Sequence, residues 1–313
     1  MKNILYMISY PKISVIIVNW NSGIQLNDCL NSLEKFGDNC IKQVIVVDNA
    51  SIDNSVKNIK NLSCVTFIQN DINLGFGKAC NIGAAIADGD YLLFLNPDSM
   101  IHSKTLSKSL NLMESISNAS VGICGVQLIN IRGEIARSCA RFPNATSFVS
   151  HCLGIDKIFP GVGHIMSEWD HSNSREVDHV IGAFFLVRRN VFEQLEGFDE
   201  KFFVYLEDLD FSLRARQAGW KTTYFADVTA FHLGGGTSRQ IKAKRLFYSI
   251  RSRLIYSNLH FKNSNYLLVL FLSLLIEPLS RSLYSIMRLS WSELKETWVA
   301  YFMLWMWILN IIK

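Results

Sequence analysis

Apolar and polar positions alternate in blocks along the first hundred residues. Four short runs, "ISVIIV" (13–18), "QVIVV" (43–47), "CVTFI" (64–68) and "YLLFL" (91–95), are almost wholly apolar and rich in β-branched or aromatic residues. Such runs predict strands covered on both faces, as in a parallel sheet. The stretches between them, 24–36, 51–60 and 75–88, read as helices. This alternation predicts an α/β fold, a Rossmann-like, mostly parallel sheet flanked by helices and joined by right-handed crossovers. Each predicted strand stops at polar or small residues: "NWNS", "DNAS", "NDINLGFG" and "NPDS". In a doubly wound sheet such ends converge on one edge, where ligands bind.

The second half is less regular. Strands are predicted over 120–128, 179–187 and 221–231, whereas 133–178 shows no clear period and reads as loop. A strong helix is predicted over 205–220, with Leu206, Leu209 and Leu213 on one face and Gly219 as its stop. The last fifty residues change character. "YLLVLFLSLLI" (266–276) and "WVAYFMLWMWILNII" (298–312) are nearly uncharged, and each is shorter than the ~20 residues that cross a bilayer comfortably. The segment between them reads as amphipathic, and Trp291 and Trp298 suit an interface. The expectation is a globular domain over 1–260 and a C-terminal amphipathic and apolar helical extension over 261–313. That extension lies in a membrane surface or, alternatively, packs as a C-terminal helical subdomain or oligomer contact, or crosses the membrane.

Composition narrows this picture. With 49% hydrophobic and 19% charged residues in 313, the chain can bury a real core. A net charge of +4 is too small to point to a nucleic acid. The basic stretch "RQIKAKRLFYSIRSR" (239–253) holds no acidic residue, which marks either a solvated helix face or a contact with an anion or membrane surface. Seven cysteines at scattered spacings, with no C-x-x-C pair, read as reduced thiols in a cytosolic body and exclude a zinc cluster. The N-terminus "MKNILYMISYPK" does not read as a signal peptide.

Two phosphate-binding motifs fail. In "NLGFGKACNIG" the third glycine of a dinucleotide fingerprint would fall at Cys80, and the P-loop fails because Gly77-Lys78 is followed by Ala79. Its glycines let backbone approach a ligand or a neighbouring strand. Asp48 and Asp98 each close a strand. An aspartate so placed holds a base or ribose, or a divalent metal bridging a diphosphate, or merely caps a helix. Glu207, Asp208 and Asp210 open the strong helix. Asp210 can pair with Arg214 at i,i+4 and reads as structural. Asp208 lies about 100° around the helix from Glu207, so one can enter a cleft as a general base while the other is tied down. His232 precedes three glycines (234–236) that read as a mobile flap, which makes it a candidate metal or phosphate ligand.

The ordered blocks "SVIIVNWNS", "VIVVDNAS", "NLGFGKACNIG", "YLLFLNPDS", "GAFFLVRR", "GFDEKFFVYLEDLDFSLRARQAGW" and "FHLGGGTS" resemble the family 2 glycosyltransferases, in particular the rhamnosyltransferase-like branch of bacterial polysaccharide synthesis. The resemblance runs from about residue 12 to 260 and implies an inverting enzyme of GT-A fold. It implies that Asp48 contacts the nucleotide base beside Asn19. Asn73, Gly75, Phe76, Gly77 and Asn81, with Asn96, would line the donor. It further implies that Asp98 and His232 hold Mg2+ or Mn2+ and that Asp208 is the catalytic base. Asn96 stands where the family often has the first aspartate of Asp-x-Asp, which leaves metal binding to a single carboxylate. The implied donor is a dTDP- or UDP-sugar, with dTDP-rhamnose preferred. The implied acceptor is a polyprenyl-diphosphate-linked saccharide at the cytoplasmic face of the plasma membrane, contacted by Glu207, Arg245, Arg251 and Arg253, and a homo-oligomer is compatible with this. A nucleotidyltransferase and a non-catalytic scaffold are the competing readings.

Overall fold

The computed structural model describes residues 10–57, 59, 65–234 and 241–312. Its first half runs β1 (Ile13–Asn19), α1 (Gln25–Phe36), β2 (Ile41–Asp48), β3 (Val65–Gln69), α2 (Phe76–Ala85), β4 (Tyr91–Leu95), β5 (Ser99–Ile101) and α3 (Thr105–Glu114). Then come β6 (Val121–Ile129), β7 (Ile135–Ala136), β8 (Cys139–Ala140), α4 (Ala145–Leu153), β9 (Arg175–Val177), β10 (His179–Val180), β11 (Phe184–Arg188), α5 (Arg189–Gln194), α6 (Glu207–Gln217) and β12 (Lys221–His232). Four helices close the chain: α7 (Lys242–His260), α8 (Asn263–Phe271), α9 (Glu277–Met287) and α10 (Trp291–Ile312).

The main sheet has the order β3-β2-β1-β4-β11-β6-β12-β5. Its first four strands are parallel; β11 enters antiparallel between β4 and β6, and β12 runs parallel to β6. The C-terminal ends of β1, β2, β4 and β12 therefore share one edge. Period-two alternation sends Val15, Ile17, Val46 and Leu93 to one face and Ile16, Ile45, Val47 and Phe94 to the other, each into its own core. Below the second face, Phe94, Phe185, Phe192, Phe198 and Phe211 pack with ring centroids 4.9–6.4 Å apart.

Three expectations are corrected. Among the described residues of 51–60 there is no α-helix but a set of turns, because Asp48 and Asp53 take the backbone N–H groups of Ser51 and Ser55 that a helix would use. The strand expected over 179–187 breaks at 181–183, where Gly182 leaves the sheet to bond a carboxylate (below). The stretch 133–178 is not mere loop: it holds β7, β8, β9 and α4, the last with a full capping box between Asn144 and Ser147. Cys64, the N-terminal residues 1–9, the flap residues 235–238 and Arg239 lie outside the described residues.

A third core joins the C-terminal helices to the body. Phe202 and Leu209 share it with Phe247, Ile250, Leu254, Val269, Tyr301 and Leu304, so packing is continuous across residue 260. Arg253 and Glu277 pin α7 to α9 through bonds of 2.7 and 3.3 Å. Burial works against the charge of Glu277, yet Arg253 and Arg281 together hold its carboxyl down at about 2. Residues 263–287 form one helical rod, long and apolar enough to cross a membrane by length and composition. A π-turn over Leu272–Ile276 breaks the regular hydrogen-bond ladder just before Pro278, which has no N–H to give it. The outer surface of the rod and of α10 is apolar and exposed, with Phe271, Leu275, Leu279, Leu283, Trp298 and Phe302 among its members.

Candidate active site

At the first two strand ends, Asn19 and Asp48 stand opposite each other in register and both are fully buried. Asn19 Nδ2 donates to Asp48 Oδ1 (2.7 Å) and to the hydroxyls of Ser55 (2.9 Å) and Ser51 (3.1 Å), while Ser22 donates to its Oδ1. Asp48 Oδ2 accepts from Ser51 N (3.0 Å). Sealed from solvent, this pair shapes the 49–55 turn, and the turn rather than the Asp48 carboxylate forms the surface there. Asn49, which the sequence reading passed over, bonds Gly75 O (2.9 Å) and accepts from Asn70 (2.8 Å), so it ties this turn to the next loop.

That loop opens α2. Asn73 Oδ1 accepts from Gly75 N (2.9 Å), and Gly75 adopts φ +90°. A Cβ there would sit 2.3 Å from Phe203 O, the same oxygen that accepts from Phe76 N, so backbone meets backbone and only glycine fits. Asn81 spends its amide on Phe198, donating to its O and accepting from its N at 2.9 Å each. Asn81 therefore clamps the segment before α6. Gly77 is buried against Phe198 and Glu207.

At the β4 end, Asn96 N donates to Ala183 O (3.2 Å) and Ser99 N to Asn96 O (3.0 Å), which closes the Asn-Pro-Asp turn. Pairing of β5 with β12 sets His232 opposite Ser99 and brings His232 Nε2 to 3.4 Å from Asp98 Oδ1. An imidazole and a carboxylate at that separation form a suitable half-site for a hard divalent ion, which takes its remaining ligands from phosphate and water. Among the described residues no third His, Cys, Asp or Glu joins them. The donor set fits Mg2+ or Mn2+ bound together with a diphosphate.

Asp208 sits in the first turn of α6, just after Tyr205 and Leu206, two consecutive non-glycine residues at φ +71° and +65°. Backbone strain of this kind gathers at functional sites. Gly182 N donates to Asp208 Oδ2 (2.8 Å) and Leu209 N to Oδ1 (2.8 Å). A Cβ on Gly182 would lie 3.2 Å from Oδ2 and 3.6 Å from the Phe76 ring, so the backbone packs closely on the carboxylate beside Phe76. The Asn96–Asp98 turn and the Asp208 carboxylate are thus joined by one dipeptide: Ala183 holds the Asn96 turn and Gly182 holds Asp208.

Sequence reading missed the group behind Asp208. His179, buried in β10, places Nε2 3.7 Å from Asp208 Oδ2 and Nδ1 3.1 Å from the Ser212 hydroxyl. Burial pushes its pKa below the usual imidazole range, so it is neutral. No local signal marked it, because the contact spans 29 positions and forms only when β10 packs under α6.

Two acceptor expectations are corrected. Glu207 points inward beneath α2 and is 4% exposed; burial, then the charge of Asp208, raises its pKa well above the usual range, so it is a neutral acid out of reach of an acceptor. Arg253 is 3% exposed and spent on Glu277. Arg245 is exposed on α7, and Arg251 is half-buried there. Asp210 is structural as expected, bonded to Arg214 (2.8 Å) and to His260 (2.7 Å).

Comparison with known proteins adds to this geometry. The profile described as glycosyl transferase family 2 matches residues 14–196. Rhamnosyltransferase WbbL of Escherichia coli K12 is 32% identical over 192 residues, covering 58% of this chain and 69% of its own. The N-acetylglucosaminyl-diphospho-decaprenol L-rhamnosyltransferase of Mycobacterium tuberculosis is 24% identical over 257 residues, 77% of this chain and 82% of that one. Among solved structures, the mannosyltransferase PcManGT from Pyrobaculum calidifontis, in complex with GDP-Man and Mn2+, superposes with a TM-score of 0.55 at 15% identity. It covers 94% of this chain and 74% of its own length, a likeness of fold that matches the GT-A expectation.

Proposed function

The chain belongs to glycosyl transferase family 2, and from that premise we propose that it is a metal-dependent inverting enzyme moving L-rhamnose from dTDP-rhamnose to a lipid-diphosphate-linked saccharide. The observation that carries this reading is the Gly182–Ala183 link, which holds a fixed carboxylate base at a set place beside a metal half-site. The rhamnosyl donor and lipid-linked acceptor are supported by the names of the two relatives above.

The donor lies across the strand ends, bordered by the 49–55 turn, the Asn73–Gly77 loop and Asn96. Asp98 and His232 would hold the divalent ion, whose chemistry is to offset charge on the departing diphosphate. Asp208 takes the proton of the acceptor hydroxyl at a carboxylate oxygen, and the hydroxyl oxygen attacks the anomeric carbon opposite the leaving nucleotide. The configuration inverts, and no covalent enzyme intermediate is required. The Gly182 and Leu209 N–H groups fix the carboxylate so that little reorganisation is left at the moment of transfer. The test is direct: the purified protein with dTDP-rhamnose and Mn2+ should glycosylate a lipid-linked N-acetylglucosamine acceptor, and transfer from UDP-hexoses alone would overturn the donor assignment.

His179 serves this base as a positioning residue. His179→Phe removes the imidazole beside Oδ2 but fills the space. Turnover is expected to fall about tenfold, because a polar ring held by Ser212 and standing 3.7 Å from the carboxylate is replaced by an apolar one, with KM for the donor unchanged. A rise in KM with turnover unaffected would assign His179 to binding instead.

The apolar helices give the enzyme its place at a cytoplasmic membrane surface. The 263–287 rod packs against α4 along its length, against α7 through α8 and against α10 through α9, and buries Glu277 at its middle, an arrangement that favours lying in the interface over crossing it. Flotation with anionic liposomes checks this. The full chain should float, and replacing Leu275, Leu279 and Phe302 by serine should release it; an unchanged float would place attachment elsewhere.

A further inference from the structure

Among the described residues the buried Arg253 holds Glu277, and the part-buried Arg188 bonds Tyr91, Val121 and Met113. Arg251 differs. It is half-buried, its Nε is shut off from solvent with no hydrogen-bond partner, and no carboxylate lies within ion-pair reach among the described residues. Its guanidinium rests 5.3 Å from the centre of the Trp307 ring on α10. A guanidinium whose Nε has no partner, and which meets an aromatic ring in place of a carboxylate, is open to an anion, and planar forked donors suit phosphate oxygens.

Its position says which anion. Lys244, Tyr248 and Arg251 follow at i, i+4 and i+7 and so share one face of α7. The Tyr248 ring stacks on Phe203 at 4.5 Å and 14°. Phe203 O in turn accepts from Phe76 N, and the Phe76 ring borders Asp208. Towards the reacting hydroxyl, then, Arg251 is one aromatic pair from the cleft. On its other side stand Trp307 and the exposed apolar surface of α10, including Phe302 and Met306. A molecule that puts a sugar at Asp208 and a hydrocarbon on α10 would carry its charged link near Arg251, whose guanidinium already contacts α10.

We propose that Arg251, with Tyr248 beside it and Lys244 at the rim, binds the diphosphate of the lipid-linked acceptor; this rests on the acceptor class proposed above. The donor's own diphosphate belongs at Asp98 and His232, so the two anion sites are separate. Arg253, two residues on, faces the opposite way into its ion pair and takes no part.

The experiment uses the full chain carrying Asp98→Ala, which disables the donor's diphosphate site, titrated calorimetrically with farnesyl diphosphate, inorganic pyrophosphate and farnesol. Farnesyl diphosphate should bind, pyrophosphate more weakly, and farnesol not at all. Adding Arg251→Met should weaken farnesyl diphosphate at least about tenfold, the effect of losing a charge-assisted bond, with Arg251→Lys in between. The Arg251→Met protein should melt no lower than its parent, since it loses an uncompensated charge rather than a structural bond. Farnesyl diphosphate bound equally well by Arg251→Met would overturn the assignment to Arg251 while leaving the acceptor class intact. Pyrophosphate bound as tightly as farnesyl diphosphate would make the site one for free phosphate. Binding of none of the three would overturn both the site and the acceptor class.

Discussion

Asp208→Asn is expected to lower sugar transfer by about a hundredfold to ten-thousandfold, the range spanned by loss of a positioned general base. The substitution keeps size and shape but removes the basic oxygen. It also turns an amide NH2 toward either Gly182 N or Leu209 N, both donors, so one hydrogen bond is lost. A loss of about 1 kcal/mol in stability follows from that, small beside the kinetic effect. Nucleotide binding, proposed to depend on the Asp98 side of the cleft, should be unaffected. Steady-state transfer and a nucleotide-induced rise in melting temperature, measured on one preparation, separate the two effects. Retention of more than a tenth of wild-type turnover would remove Asp208 from the role of base, and full retention of biological function would revive the scaffold reading.

The second large effect falls on the other side of the Gly182–Ala183 link. Wild-type protein should gain about 2.7 kcal/mol of stability from a nucleoside diphosphate at a hundred times its dissociation constant, and the gain should need Mn2+ or Mg2+. With dTDP, UDP, GDP and NAD compared, dTDP should give the largest shift and NAD none. Asp98→Ala should abolish the metal-dependent part and with it most turnover, since it removes the carboxylate of a two-residue metal half-site. His232→Ala should do the same in weaker form. A dTDP shift that persists undiminished in Asp98→Ala would place the diphosphate elsewhere and return the Asn-Pro-Asp turn to a purely structural role.

Much of this site was legible in the chain. Strand ends announce themselves because an apolar run buried on both faces must stop where polar side chains begin, and the stops at Asn19, Asp48 and Asn96 are such points. The acidic start of α6 was equally plain. Helix geometry separated Glu207 from Asp208 without saying which enters the cleft, and the outcome for Glu207, a neutral acid inside the protein, depends on what packs over it. Asn81 reads as a ligand contact in the sequence and becomes a clamp on Phe198 in the fold, because an amide offers both donor and acceptor to whichever backbone lies nearest. The same holds for the arginines of α7. Sequence treats Arg251 and Arg253 alike; Glu277, 24 residues on, neutralises one and leaves the other uncompensated.

By itself, then, the sequence determined the α/β class and the edge at which the polar strand ends gather, and it singled out Asp98, Asp208 and His232 as the groups to test. Those are short-range matters: hydrophobic period, strand termination and the order of motifs along the chain. Tertiary structure alone decided that β11 enters antiparallel, that Gly182 and Ala183 tie the Asn96 turn to Asp208, that His179 stands behind Asp208, and that the C-terminal helices share a core with the body of the protein. Each of these rests on contacts between residues dozens of positions apart. No local pattern records them, because burial and partnership belong to the packed chain and are absent from any segment of it.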